Sequence, residues 1–146
     1  EMLRLVGLDP SLARKKLEDG SGLEKFKEMV KAQGGRLEEL PKPGEGARWA
    51  EVKATEGGFV RVNAYLVGLG ATLLGAGRLR RGEPVDPRAG VLVKAKSGER
   101  VERGQAVLVA FSSDEAKLRR ALPYLERAVE ISPEPFEAAP LILGEL

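Results

Sequence analysis

The sequence contains no histidine and no cysteine. Those two absences exclude much chemistry. A Ser-His-Asp triad, a cysteine nucleophile and a histidine general base cannot be assembled from this chain alone. Structural zinc sites and cysteine-ligated iron–sulfur clusters are excluded with them, and so is a disulfide framework. Amides are scarce too: Gln33, Asn63 and Gln105 are the whole set. Glu, Lys and Arg carry the polar surface, and such a profile resembles that of a thermophile protein. There is no long apolar run. The longest, from Ala64 to Ala76, is broken by glycines and falls short of the roughly 18 residues a membrane helix needs. No charged segment followed by an apolar one suggests a signal peptide. The expectation is a cytoplasmic protein that touches no membrane.

What remains is 146 residues with 42% hydrophobic and 32% charged side chains, enough to bury a core without covalent staples. The formal net charge is +2, yet the pI is about 9.0. The gap follows from the missing His and Cys. Between roughly pH 5 and 9 only the terminal amine titrates, so the charge stays flat and the pI overstates basicity. Residues 1–50 carry +1, residues 51–110 carry +4 and residues 111–146 carry −3. No dense Lys/Arg stripe is present, so nucleic acid is not an expected partner.

The chain opens Glu1-Met2-Leu3-Arg4-Leu5-Val6, which reads as a helix already under way with no cap before it. We expect a piece of a longer polypeptide. Asp9 and Pro10 start a helix that ends at Gly20. Ser21 with Glu24 forms a capping box for the next. Its apolar residues Leu23, Phe26, Met29 and Val30 make one stripe, expected to be a core face along with Leu12 and Leu17. Gly34-Gly35 closes it. Pro41, Pro43, Gly44 and Gly46 then mark a boundary, giving a helical segment at 1–46 and an α+β domain at 47–146.

In that second part, residues 49–54 and 59–64 alternate apolar and polar about Gly57-Gly58, which predicts a tight hairpin. Residues 66–74 predict a buried helix. Strands are expected at 90–95, 106–111 and 129–131. Val101 starts a connecting piece, and Leu141-Ile142-Leu143 is an edge strand confined by prolines. A helix over 114–127 turns Leu118, Leu122 and Leu125 inward, with a kink or break at Pro123.

Three features invite a functional reading. Gly75 and Gly77 follow their helix, whereas a phosphate loop needs glycines ahead of one, so they read as a C-cap and close backbone packing. Arg78, Arg80, Arg81 and Arg88 form the densest basic patch, expected to be a solvated loop pairing with Glu83 and Asp86. The run Gly98-Glu99-Arg100-Val101-Glu102-Arg103-Gly104-Gln105 resembles the turn of biotinyl and lipoyl carrier sandwiches. Its glycines permit positive φ, and Val101 pins the loop to the core. A carrier displays a lysine at a hairpin tip, but the tip here is Thr55-Glu56-Gly57-Gly58. Lys53 and Lys94 read as strand residues, so the element reads as structural. A carrier or adaptor domain is the alternative function.

Taken in order, the segments resemble the pyrimidine-nucleoside phosphorylases, including thymidine phosphorylase. The carrying residues are Phe26, Met29, Gln33, Gly34 and Gly35; Gly58 with Phe59-Val60; Gly75, Gly77 and Arg78; Asp86 and Gly90; and Gly98, Val101 and Gly104. The resemblance implies the C-terminal portion of such an enzyme: helices of its large lobe, then an α/β hammerhead-like domain with a barrel-sandwich element. It implies phosphorolysis of a pyrimidine nucleoside to free base and pentose 1-phosphate by a homodimer whose lobes close. The family's phosphate and base motifs do not occur here. This segment is thus expected to hold no catalytic, cofactor or metal residue, to be inactive alone and to act as scaffold. Its partners would be the rest of its own polypeptide, with phosphate and nucleoside bound there.

Overall fold

The structure is a computed structural model, and it describes residues 2–39, 42, 44–136 and 144. The chain divides into two compact units, residues 1–40 and 41–146.

The first unit holds α1 (Met2–Leu5), α2 (Ser11–Glu18), α3 (Ser21–Ala32) and a 3₁₀ turn at Leu37–Glu39. Short acidic side chains start the two longer helices. Asp9 Oδ1 accepts from the Ser11 amide at 2.8 Å, and Asp19 Oδ1 accepts from the Ser21 amide, also at 2.8 Å. These satisfy amides that a helix start leaves orphaned. They also correct the capping box: Ser21 lies inside the helix, preceded by Gly20 at φ 76°. The Glu24 carboxylate turns to Lys27 at 2.7 Å because Asp19 already holds the amide it would have reached. None of α1, α2 or α3 buries a residue. The expected core stripe is open: Leu17 is 79% exposed, Leu23 54%, Phe26 46% and Met29 47%. Sequence periodicity correctly marks an apolar face, but among the described residues of this unit that face stays largely open.

The second unit has a real core. Its strands are β1 (Arg48–Lys53), β2 (Gly58–Val62), β3 (Gly90–Val93), β4 (Arg100–Val101), β5 (Ala106–Ser112) and β6 (Val129–Ser132). Its helices are α4 (Ala64–Ala71), continued by a π turn at Thr72–Ala76, and α5 (Glu115–Arg127). Two antiparallel three-stranded sheets form, ordered β1-β5-β3 and β4-β2-β6. This is an α+β architecture. Val60, Leu74, Val107, Leu108 and Leu125 are fully buried between the sheets and helices. No helix among the described residues is long and apolar enough to cross a membrane.

The tight hairpin at Gly57-Gly58 does not form. β1 pairs with β5 (Glu51 opposite Val109), and β2 pairs with β4 and β6. A two-residue hairpin turn requires positive φ, and neither Gly57 nor Gly58 has it. The chain instead crosses from one sheet to the other, held by Ala54, whose amide donates to Gln105 O (2.9 Å) and whose carbonyl accepts from Gly104 N (2.8 Å). Gly58 is needed for another reason. A Cβ there would collide with the Ser132 carbonyl and lie 2.8 Å from Ile131 Cγ2. Val101 also differs from expectation, since it closes a short strand against Gly58.

Helices α4 and α5 pack directly. A Cβ on Gly70 would fall on the Leu125 side chain, so glycine sets their close approach. Asn63 Oδ1 caps α4 through the Leu66 amide, and Asp114 Oδ1 caps α5 through Ala116 N at 2.7 Å; each such cap contributes roughly 1 kcal/mol. α5 continues through Pro123 without the break that proline suggests. Leu118, Ala121 and Leu125 are buried along one face, and that burial on both sides of Pro123 outweighs one missing helical hydrogen bond. The edge strand expected at Leu141–Leu143 lies outside the described residues.

Candidate functional site

The singled-out residues fall into three groups. Phe26 and Met29 lie on the exposed face of α3, and Gln33, Gly34 and Gly35 end that helix. Gly34 has φ 77°, and the Gly35 amide returns to Val30 O at 2.9 Å. A Cβ on Gly35 would stand 2.9 Å from Val30 Cγ1. The paired glycines thus let the chain fold back over the helix end. A hollow of about 440 Å³ opens there, lined by Lys27, Lys31, Arg36 and Glu38 among others.

The second group builds the corner between the two sheets. Gly98 and Gly104 have φ of 92° and 83°, as their turns require. Val101 is 1% exposed. The Gln105 side-chain oxygen accepts from Glu102 N at 3.0 Å, and the Gly98 amide donates to Val60 O at 2.9 Å. Lys53 lies in β1 beside Glu51 at 3.1 Å, Lys94 directly follows β3, and the bend at residues 55–57 carries no lysine.

The third group converges on one point. Gly75 turns the chain at φ 111° behind α4. Its carbonyl accepts from the Asp86 amide at 2.9 Å. Asp86 then reaches two ways: Oδ1 accepts from Arg88 N at 3.0 Å, and Oδ2 from Ser113 N at 3.1 Å. One carboxylate therefore ties the turn after α4, the segment entering β3 and the β5–α5 junction. Burial works to raise the Asp86 carboxyl. The amides of Arg88 and Ser113, the Ser113 hydroxyl and the Lys117 ammonium outweigh it and hold the group below the usual aspartate range. Gly77 is extended, and a Cβ there would meet Thr72 Oγ1 at 2.8 Å. The glycines after α4 thus serve turning and close packing.

The basic loop is organised by backbone bonds. Glu83 Oε2 accepts from the amides of Leu79 (2.9 Å) and Arg80 (3.2 Å), and Arg78 Nε donates to the Glu83 carbonyl (3.0 Å). Among the described residues, no ion pair joins Arg78, Arg80, Arg81 or Arg88 to Glu83 or Asp86. The expected pairing is corrected accordingly: in a tight loop, amides lie closer to a short acidic side chain than guanidinium heads do, and they need acceptors more.

Ser112 was not legible as a site residue. It is fully buried, donates from Oγ to the Leu74 carbonyl at 2.8 Å and accepts from Asp114 N at 3.2 Å. The available signal was parity. Leu108, Ala110 and Ser112 share one face of β5, the face that points inward.

This ensemble has no nucleophile–base pair, and among the described residues no three acidic side chains gather to hold a metal ion. It can fix loops and present cations. The family profile for the pyrimidine nucleoside phosphorylase C-terminal domain matches residues 59–132, which contain this hub and most of the inter-sheet corner. A thymidine phosphorylase of Mycobacterium tuberculosis is 31% identical over the whole chain, which spans 34% of that relative. A pyrimidine-nucleoside phosphorylase of Bacillus subtilis is 35% identical over 70% of the chain and 26% of the relative. An AMP phosphorylase of Methanococcus vannielii is 30% identical over 88% of the chain and 24% of the relative. The chain spans about a third or less of the length of these relatives. Half of the chain, with its glycine turns and the Asp86 hub, fits one family, and the protein belongs to it: the pyrimidine nucleoside phosphorylase C-terminal domain family.

Proposed function

We propose that the chain is the C-terminal part of an enzyme that splits pyrimidine nucleosides with phosphate, giving free base and a pentose 1-phosphate. The observation that carries this reading is the family match over residues 59–132, the stretch in which Gly75, Asp86 and Ser113 tie three segments together. The segment's role is scaffold and lobe-closing surface. Phosphorolysis needs preorganised donors for phosphate and the leaving base, and the family's motifs for both are absent from this sequence. In this reading residues 1–46 belong to the large lobe, and the open Leu23, Phe26 and Met29 face is covered there by the rest of the polypeptide. Residues 47–146 form the hammerhead-like domain, the two three-stranded sheets being its barrel-sandwich element. The resemblance further supports a homodimeric, cytoplasmic enzyme of nucleoside salvage, and the scarcity of Asn, Gln, Cys and Met supports a thermophilic source.

The test is base release from uridine or thymidine in the presence of phosphate. The 146-residue chain releases no base above background, and a polypeptide that joins it to the first two thirds of a family member does. Turnover by the chain alone, or an inert joined protein that is nevertheless folded, overturns the proposal.

A further inference from the structure

We propose that the cleft between the Thr72–Pro84 segment and α5 binds a phosphate-class dianion, either free or carried as an ester on a sugar. The cleft has a volume of about 230 Å³ and is lined by Thr72, Gly75, Gly77, Glu83, Lys117 and Arg120 among others. It lies wholly within the second unit. Lys117 and Arg120 stand three residues apart on α5 and so face the same side. The Lys117 ammonium reaches over Gly75, its Nζ lying 3.5 Å from where a Cβ would sit.

The charge there is not neutralised by ion pairing. Among the described residues, neither Lys117 nor Arg120 is bridged to a carboxylate, whereas the neighbouring Arg119 pairs with Glu115 at 3.5 Å. Two acids stand nearby: Glu83 lines the cleft, and the Asp86 carboxyl is held low in part by the Lys117 ammonium. Glu83 holds the amides of Leu79 and Arg80, and Asp86 holds those of Arg88 and Ser113. Arg78, held through Nε on the Glu83 carbonyl, adds a third cation on the same loop. The amide bonds leave both carboxylates charged, so Lys117, Arg120 and Arg78 against Glu83 and Asp86 give a local excess of one positive charge around the cleft. A guanidinium fork beside a point-like ammonium suits a tetrahedral oxyanion with several acceptors. The volume exceeds that of one such anion, leaving room for a small polar group attached to it.

This inference is independent of the family reading, which stands if it fails. The experiment follows the backbone amide signals of Gly75, Gly77, Ser113 and Lys117 in the 146-residue chain by NMR. Inorganic phosphate and ribose 5-phosphate are titrated separately at constant ionic strength. Saturable shifts confined to these amides are expected, with midpoints in the millimolar range or tighter. Tighter binding of the sugar phosphate identifies the ester as the ligand, and equal or tighter binding of phosphate identifies the free anion. The double variant Lys117→Ala/Arg120→Ala weakens binding by about tenfold or more, while Arg119→Ala leaves it unchanged. The same spectra show that the variants fold. Shifts that follow salt alone, no saturation with either ligand, or undiminished binding in the folded double variant overturn the proposal.

Discussion

The buried hydroxyl of Ser112 donates to the carbonyl of Leu74 at 2.8 Å, joining residues 38 positions apart. Leu74 sits in the π turn Thr72–Ala76, just before Gly75, where the last helical carbonyls need donors supplied from elsewhere. Removing the hydroxyl leaves a buried carbonyl and the Asp114 amide without it. Ser112→Ala is therefore expected to destabilise the chain by about 1–3 kcal/mol, read as a lower urea midpoint at unchanged slope. A loss within experimental error would show that the bond contributes nothing net.

Asp86 gives a pH-dependent counterpart. Its carboxyl is held below the usual aspartate range in the fold. A depressed carboxyl stabilises fully above its unfolded value, about pH 4, and that stabilisation is lost as pH falls through the lower folded value. Asp86→Ala should thus be less stable than the parent at pH 7, and the difference should shrink progressively below about pH 4. A difference that stays constant down to pH 2, or grows, would contradict the amide contacts described.

The missing histidines make a second pH prediction. No side chain with an ordinary value near neutrality is present. The urea midpoint should stay flat between about pH 5.5 and 7.5. A sigmoidal change inside that window would contradict this prediction.

Two glycines of α4 should respond in opposite directions. Gly68 has open space where a Cβ would go, so Gly68→Ala should stabilise by roughly 0.5–1 kcal/mol through helix propensity. Gly70 lies against Leu125, and Gly70→Ala should destabilise by about 1–3 kcal/mol through overpacking. Thermal denaturation of the pair side by side decides it, and equal shifts would refute the close approach of α4 and α5.

The carrier alternative is checked by mass. The bend at residues 55–57 displays no lysine, and Lys53 is engaged with Glu51. Intact-mass measurement of the chain should give the unmodified value. A cofactor-sized increase on Lys53 or Lys94 would revive the carrier reading.

Much of this was legible from residue order. The 3.6-residue pattern of Leu118, Leu122 and Leu125 marked α5 and its inward face, while the capping role of Asp114 emerged only in the structure. The glycines at 98 and 104 announced turns with positive φ, and those are what form. The ordered motifs pointed to the family that residues 59–132 match. These signals are local: a cap, a turn or a helical stripe is decided within a few residues by sterics and nearby hydrogen bonds.

Pairing and coverage are different in kind. The alternation on either side of Gly57-Gly58 fitted a hairpin, yet β1 found β5 more than fifty positions away, because the backbone at these glycines crosses between sheets. The stripe on α3 was real, but only the tertiary structure shows that it stays largely open among the described residues of its own unit. The missing His and Cys, a property of the sequence alone, exclude whole classes of catalysis from this chain's own residues. That Asp86 and Ser112 tie three distant segments into one hub was decided by the fold, since hydrogen bonds to amides and carbonyls distant in sequence leave no mark on the residues that make them.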